Sequence, residues 1–314
     1  MATATSWSAP APGPADMAGA RLDHLLAALS HRLAGVRVQT LATRAGPLHV
    51  ADTGAPAAGS SRPCIVLTPD GPNVVAHYAE LIGVLAPHYR VVCFDMPGFG
   101  HSLPGPRYRH SLDEGADAVL ALLEALDIWR ATLAFSCANG LYALRAAQRS
   151  PRVAGLILTQ TPSLPAMQAW AYRMIPRPLR VPVLGQALAW MARRKMAHLW
   201  YRSALPPGRD AAFLQQAASA SFAQGGCFCL ASVVQGLLKE DQLLQRTPNL
   251  PCTLVWGTQD RSHRATPPDS LQQLLQQAEL IRFDDCGHFP DLEQPGRYAA
   301  VVLAHMSKHD PYQG

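Results

Sequence analysis

The chain has no cysteine pairs at metal-ligand or redox spacing. Its seven cysteines are scattered and odd in number, and Cys227 with Cys229 lacks the second pair that a metal site would need. A disulfide framework is thereby excluded, and reduced thiols in a cytoplasmic protein are expected. Long apolar runs are scarce as well, and none reaches the roughly 20 residues that a bilayer span requires. Residues 1–20 are rich in Ala, Pro, Thr and Ser but lack the basic start and apolar block of a secretory signal, so they read as a flexible leader. No repeat is apparent. Charged residues are only 16% of the chain and hydrophobic residues 48%, a balance that fits a packed protein and excludes a disordered one.

One absence is local. Between Leu164 and Arg209 there is no Asp or Glu, in a chain of 314 residues whose net charge is only +5. The segment instead carries Arg173, Arg177, Arg180, Arg193, Arg194, Lys195, Arg202 and Arg209, interleaved with Met and aromatic residues such as Trp170 and Met191. This shift in composition marks a separate lobe. No recognition motif accompanies the basic residues, so a nucleic-acid partner is not expected.

The remainder alternates. Residues 21–34 place leucines at helical spacing. "VRVQTLATRAGPLHVADTG" reads as two strands meeting at Gly46-Pro47. "CIVLT", "YRVVCFD", "RATLAF", "VAGLILTQT" and "CTLVWG" are short continuous apolar runs, the pattern of strands buried on both faces of a parallel sheet. Helical patterns separate them, the strongest over 111–128, and "AELIRFDDCGH" and "QPGRYAAVVLAHM" add a last strand and a closing helix. Thr266-Pro267-Pro268-Asp269 has the form of a capped helix start. Such alternation predicts a mostly parallel, doubly wound α/β sheet of about eight strands. The expected division is a core over 21–163 and 247–314, with a helical cap over 164–246 inserted after strand 6. In such sheets ligands bind beyond the carboxyl ends of the strands.

Those strand ends carry "TPDGPN", "DMPGFGHS", "FSCANG", "WGTQD" and "CGHFPDLEQP". In order and interval these pieces resemble an α/β-hydrolase with a cap domain. The resemblance implies a nucleophile on a sharp elbow after the fifth strand, followed in the chain by an acid and a base. The acid position matches Asp260 in "WGTQD" and the base position His288 in "CGHF". Two residues compete for the nucleophile. Ser136 has small neighbours on both sides in "AFSCA", as a tight turn requires. Cys137 is flanked by Phe135 and Asn139, of which Asn readily accepts positive φ. Alignment with the family from both directions without gaps lands on Cys137, and Ser136 remains the alternative. No Asp stands at the elbow, which argues against the dehalogenase and epoxide hydrolase branches of the family. Asp95 matches a structural position of the family, and His263 is a weaker base candidate lining the entrance. The other six cysteines read as packing.

The chemistry expected of Cys137, His288 and Asp260 is acyl transfer through a covalent acyl-cysteine. His288 would take the thiol proton or hold a thiolate–imidazolium pair, Asp260 would fix and stabilise the imidazole, and the helix amino terminus after the elbow would further favour thiolate. The resemblance also implies oxyanion donors at the N–H groups of Ala138 and Gly71. The loop before Gly71 departs from the family's H-G-x-P, because Pro69 and Asp70 replace the usual His and Gly. Asp70 could oppose an oxyanion or orient a substrate group, and Phe135 could shape the pocket floor. Leu184, Ala187, Leu188 and Met191 share one face of a helical pattern, and with Trp170 they suggest an apolar acyl pocket. The implied substrate is an ester, lactone or thioester with a hydrophobic body, and the basic cluster fits an anionic part on it. An acyl carrier protein or CoA thioester fits the basic lobe, and contact with a membrane surface stays open. No cofactor is expected. Transfer to an acceptor other than water would use the same residues; a non-catalytic ligand-binding protein on this fold is the other alternative, favoured by the altered "PDGP" loop and Phe135 and opposed by Asp260 and His288.

Overall fold

The computed structural model describes residues 35–54, 64–102, 104–105, 107–241 and 248–309. The leader and the helical pattern over 21–34 lie outside the described residues.

Eight strands form one sheet: β1 (Arg37–Thr43), β2 (Gly46–Asp52), β3 (Cys64–Thr68), β4 (Val91–Phe94), β5 (Ala131–Ser136), β6 (Val153–Thr159), β7 (Cys252–Gly257) and β8 (Glu279–Phe283). Their order across the sheet is β1-β2-β4-β3-β5-β6-β7-β8. The first two make the expected hairpin at Gly46, and β2 is antiparallel to β4. From β4 to β8 every pairing is parallel. The continuous apolar runs are thus the central strands, with β3 and β5 buried throughout.

Helices cover both faces. On one side α2 (Leu112–Ala125) and α3 (Ala138–Arg149) pack over Leu133, Phe135 and Leu156. On the other, α1 (Ala79–Leu85) lies against the closing helix α9 (Pro295–Lys308) over Ile65, Ala134 and Ile157, with the short α8 (Pro290–Glu293) ahead of it. The start of α2 is set by a capping box, in which Ser111 accepts from the Glu114 N–H and the Glu114 carboxylate accepts from the Ser111 N–H.

Between β6 and β7 the chain forms α4 (Leu164–Met174), α5 (Leu184–Ala204), α6 (Ala212–Ser221) and α7 (Cys227–Leu237). The orientation of α5 differs from the expected one. Its buried positions are Gly185, Ala189, Ala197, Tyr201 and Ala204, and Leu184, Ala187 and Met191 face outward. Small residues let the helix approach closely. The Leu184–Met191 stripe is left on the basic outer surface, where Arg193 lies 3.7 Å over the Trp190 ring.

Two other features depart from the sequence reading. No helix follows Thr266; the segment to Gln277 is a series of turns. The Thr266 hydroxyl accepts from Arg173 and does not cap its own chain. Also, the stretch Ala212–Leu237 is, by length and composition, apolar enough to cross a membrane, with mean hydropathy 1.4 over its best window. Gly225, at φ 111°, breaks it into α6 and α7. Just over half of that window, 56%, is buried against the rest of the protein, which is the condition of a core helix pair.

Candidate active site

The alternation of β5 separates the two candidate nucleophiles. Successive side chains of a strand point to opposite faces. Phe135 therefore turns into the core beside Phe94, with ring centroids 6.0 Å apart, and forms no part of the pocket proposed for it. Ser136 turns to the opposite face, where its hydroxyl donates to Asp291 Oδ2 at 2.8 Å. The Tyr78 hydroxyl donates to the same oxygen at 2.6 Å. Ser136 is therefore committed beneath the elbow.

Cys137 occupies the apex. Its φ of 52° and ψ of −124° are unusual for a residue with a Cβ, and such strain persists only where the surroundings enforce it. The Cys137 N–H donates to the Thr159 carbonyl at 2.7 Å, and the Cys137 carbonyl accepts from the Gly140 N–H and the Thr161 hydroxyl. Glycine is needed at 140 because a Cβ there would stand 2.1 Å from Thr161 Oγ1. Asn139, the other unusual flank, donates from Nδ2 to the Pro69 carbonyl and ties the elbow to the loop after β3.

His288 and Asp260 come together as expected, with His288 Nδ1 and Asp260 Oδ2 at 2.5 Å. Asp260 also accepts from Gln160 Nε2 and, on its other oxygen, from the Ser262 N–H and hydroxyl. Sequence reasoning missed Gln160. Its place at the end of β6, in the row of strand ends that builds the site, is the signal that could have found it. The His288 backbone N–H donates to the Ala204 carbonyl, so the end of α5 helps to place the imidazole.

Asp70 is the departure with the largest effect. Its Oδ2 lies 3.2 Å from His288 Nε2, the nitrogen left free by Asp260. His288 is thus held between two carboxylates. Burial alone would strip it of its proton, but the Asp260 charge, with contributions from Cys137 and Asp70, outweighs burial and holds its pKa well above the ordinary value. Asp260 is pushed up by burial, yet the charge and hydrogen bond of His288 prevail and keep it well below the usual carboxylate range. Burial raises the pKa of Asp70, against the pull of His288.

Burial, followed by the nearby Asp70 charge, pushes the Cys137 thiol up to about 11, against the smaller pull of His288. The remaining cysteines behave as packing: burial raises the pKa of Cys64, Cys229, Cys252 and Cys286 to about 12, raises Cys227, and lifts Cys93 well above its ordinary value.

Asp70, Gly71, Cys137 and Ala138 open onto a cavity of about 90 Å³. Apart from Asn139, its other walls are apolar and come mainly from the inserted helices: Met167, Trp170, Trp200, Leu230, Val234 and Leu237. Trp170 belongs to it; Met191, 76% exposed on the outer face of α5, does not. Gly71 meets Phe99 so closely that a Cβ would lie 2.7 Å from its ring. His263 is not at an entrance. It is buried, stacked on Trp170 with ring centroids 4.9 Å apart, and 5.2 Å from the His288 ring. Asp95 lies apart from the site and accepts from the Val75 and His101 N–H groups. A larger recess of about 320 Å³, lined by Cys252, Glu279 and His305, lies at the opposite ends of β7 and β8.

An eight-stranded sheet with a strained elbow after β5, and an acid and a histidine after β7 and β8, defines the class. The chain belongs to the alpha/beta hydrolase family, whose model matches residues 65–301. Among curated relatives, it is 25% identical over 264 residues to a 2-hydroxymuconate semialdehyde hydrolase of a Pseudomonas species, spanning 80% of this chain and 89% of that protein. It is 24% identical over 269 residues to a 2-hydroxy-6-oxo-2,4-heptadienoate hydrolase of Pseudomonas putida, spanning 80% and 91%. Among solved structures, the enol-lactonase of Burkholderia xenovorans shares the fold, with a TM-score of 0.64 at 21% identity over 86% of this chain and all of that one.

Proposed function

We propose that the protein is a hydrolase that opens an ester, lactone or thioester bearing a compact apolar acyl group, through an acyl-cysteine on Cys137. The observation that carries this reading is the strained elbow, which presents the Cys137 sulfur to the cavity beside an imidazole anchored by Asp260. The hydrolase names of the relatives agree with it.

With His288 held as imidazolium, Asp70 is the group left to accept the thiol proton. Its burial makes it a stronger base than an ordinary carboxylate. The sulfur attacks the acyl carbon as the proton moves to Asp70, and the electron pair of the C=O bond moves onto oxygen. The N–H groups of Gly71 and Ala138 receive that charge. Asp70, now neutral, no longer repels the oxyanion and can donate to it. His288 gives its Nε2 proton to the departing alcohol or thiol as the C–O or C–S bond breaks. The neutral imidazole then takes a proton from water as it attacks the thioester; the C–S bond breaks, the sulfur recovers its proton from Asp70, and the acid is released.

The inserted helices act in this reading as a cap that sets acyl length, since about 90 Å³ is well below the roughly 300 Å³ at which drug-sized pockets begin. Transfer to a thiol or alcohol acceptor is a second reading. It is favoured by the dryness of the site, where Cys137 is 5% and His288 0% exposed. A CoA or carrier thioester would find complementary charge on the basic face of α5. Either reading keeps the thiols reduced, as in a cytoplasmic setting.

The test is a panel of short-chain aryl esters and acyl thioesters, with mass spectrometry of the trapped enzyme. The acyl group should map to Cys137. Cys137→Ala should lose turnover by 10³-fold or more on the scale of other nucleophile deletions, and Ser136→Ala should retain it. Turnover that survives Cys137→Ala and disappears with Ser136→Ala would overturn the assignment.

A further inference from the structure

His263 has no part in the acyl-transfer scheme, and its burial is unexplained by it. The residue is 2% exposed, and among the described residues neither ring nitrogen has a hydrogen-bond partner. A buried imidazole without partners is costly, and each such group in a folded protein calls for an explanation. Its surroundings hold it in place. One face stacks on Trp170 at an interplanar angle of 7°, and Trp256 meets it edge-on at 5.9 Å. Trp170 is itself anchored through Nε1 to the Ser262 carbonyl.

The unsatisfied ring lies beside a thiol and a second imidazole. One ligand atom each from Cys137, His263 and His288 falls within 4.8 Å of the others. A tetrahedral zinc ion with bonds of about 2.0 to 2.3 Å needs donor separations of about 3.3 to 3.6 Å, so the three groups must draw together by about an ångström. The donor set is one sulfur and two imidazoles, which selects zinc-like cations over magnesium or calcium. Behind it, Asp260 holds His288 Nδ1, leaving Nε2 for a metal in the carboxylate–histidine arrangement common in zinc sites. Asp70 Oδ2 lies 3.2 Å from the same Nε2.

We infer that Cys137, His263 and His288 form a binding site for a zinc-like divalent cation, which closes over the thiol and silences it. Binding forms a metal–sulfur bond, and the protons of the thiol and of His288 leave to solvent. The cation site itself stands on this donor geometry, and the silencing of the thiol rests on the acyl-cysteine reading, under which His263 serves to switch the site off.

The probe is Co²⁺ added to the purified full chain, followed by competition with Zn²⁺. One equivalent should give a thiolate-to-cobalt charge-transfer band with the ligand-field bands of a tetrahedral site, and Zn²⁺ should bleach both. Cys137→Ala should abolish the charge-transfer band. His263→Phe keeps an aromatic ring on Trp170 but lacks the nitrogens, and should weaken binding at least 100-fold. Asp260→Asn should weaken it by about 10- to 100-fold. Absence of the band in the wild-type protein would overturn the inference, and so would undiminished affinity in a folded His263→Phe variant. If that variant fails to fold, the wild-type spectrum still decides. None of these readouts depends on turnover, so their failure is distinct from failure of the hydrolase reading.

Discussion

Replacing Asp70 with asparagine should make the thiol more acidic and the enzyme slower, two effects that a merely structural Asp70 would not combine. The side chain is nearly isosteric and can still accept from His288 Nε2, but it carries no charge. Burial, followed by the charge of an ionised Asp70, pushes the thiol up to about 11. Two unit charges interact by about 2 kcal/mol at 8 Å and about 4 kcal/mol at 4 Å with an effective dielectric of about 20. At 1.36 kcal/mol per pKa unit, removing the Asp70 charge should therefore lower the Cys137 pKa by about 1.5 to 3 units. The assay is alkylation by iodoacetamide between pH 7 and 11, read peptide by peptide so that Cys137 is resolved from the other six cysteines. At pH 8 the variant should alkylate at least ten times faster. Turnover should nonetheless fall by about 10² to 10⁴, the usual contribution of a general base. An unchanged alkylation profile, or faster alkylation with undiminished turnover, would refute the role given to Asp70.

Ser136→Ala should keep turnover while costing about 1 to 3 kcal/mol, because Asp291 loses a buried donor and keeps only Tyr78 on that oxygen; urea unfolding measures the loss. Leu237→Ala, at a buried wall of the cavity, should cost about 2 to 5 kcal/mol and shift the kcat/KM ranking of an acyl series toward longer chains. The stability difference between wild type and His288→Gln should depend on pH. His288 is raised, so its contribution is complete below about 6.5 and lost as pH rises through its folded value. Asp260 is lowered, so its contribution is present above about 4 and lost on acidification. The difference should thus be largest between about pH 4 and 6.5, and denaturant midpoints at several pH values check it.

Much of the fold could be read from the chain because its signals are local. The continuous runs of β3, β5 and β6 differ from the helical periodicity of α2, and turn residues separate them. The elbow could be read only in part. Strand alternation places Phe135 and Ser136 on opposite faces of the sheet, but it acts only once the end of β5 is fixed, and that boundary is weakly encoded. Met191 was misjudged because Gly185, Ala189 and Ala197 give α5 a narrow small-residue face, and close approach there outweighs the larger side chains. At Thr266 a distant arginine, Arg173, engages the hydroxyl expected to cap a helix. The states of Cys137 and Asp70 were not legible at all, because both arise from burial among residues far apart in the chain.

The tie between Ser136 and Asp291 limits how this chain could change its chemistry. Sliding β5 forward by one residue would bring a hydroxyl to the bend, but it would also tear that hydroxyl from Asp291 and Tyr78 and swing Phe135 away from Phe94 to the other face of the sheet. A switch to oxygen chemistry would have to be made by exchanging the sulfur where it stands, with the neighbouring serine left as a fastening on the far side of the sheet.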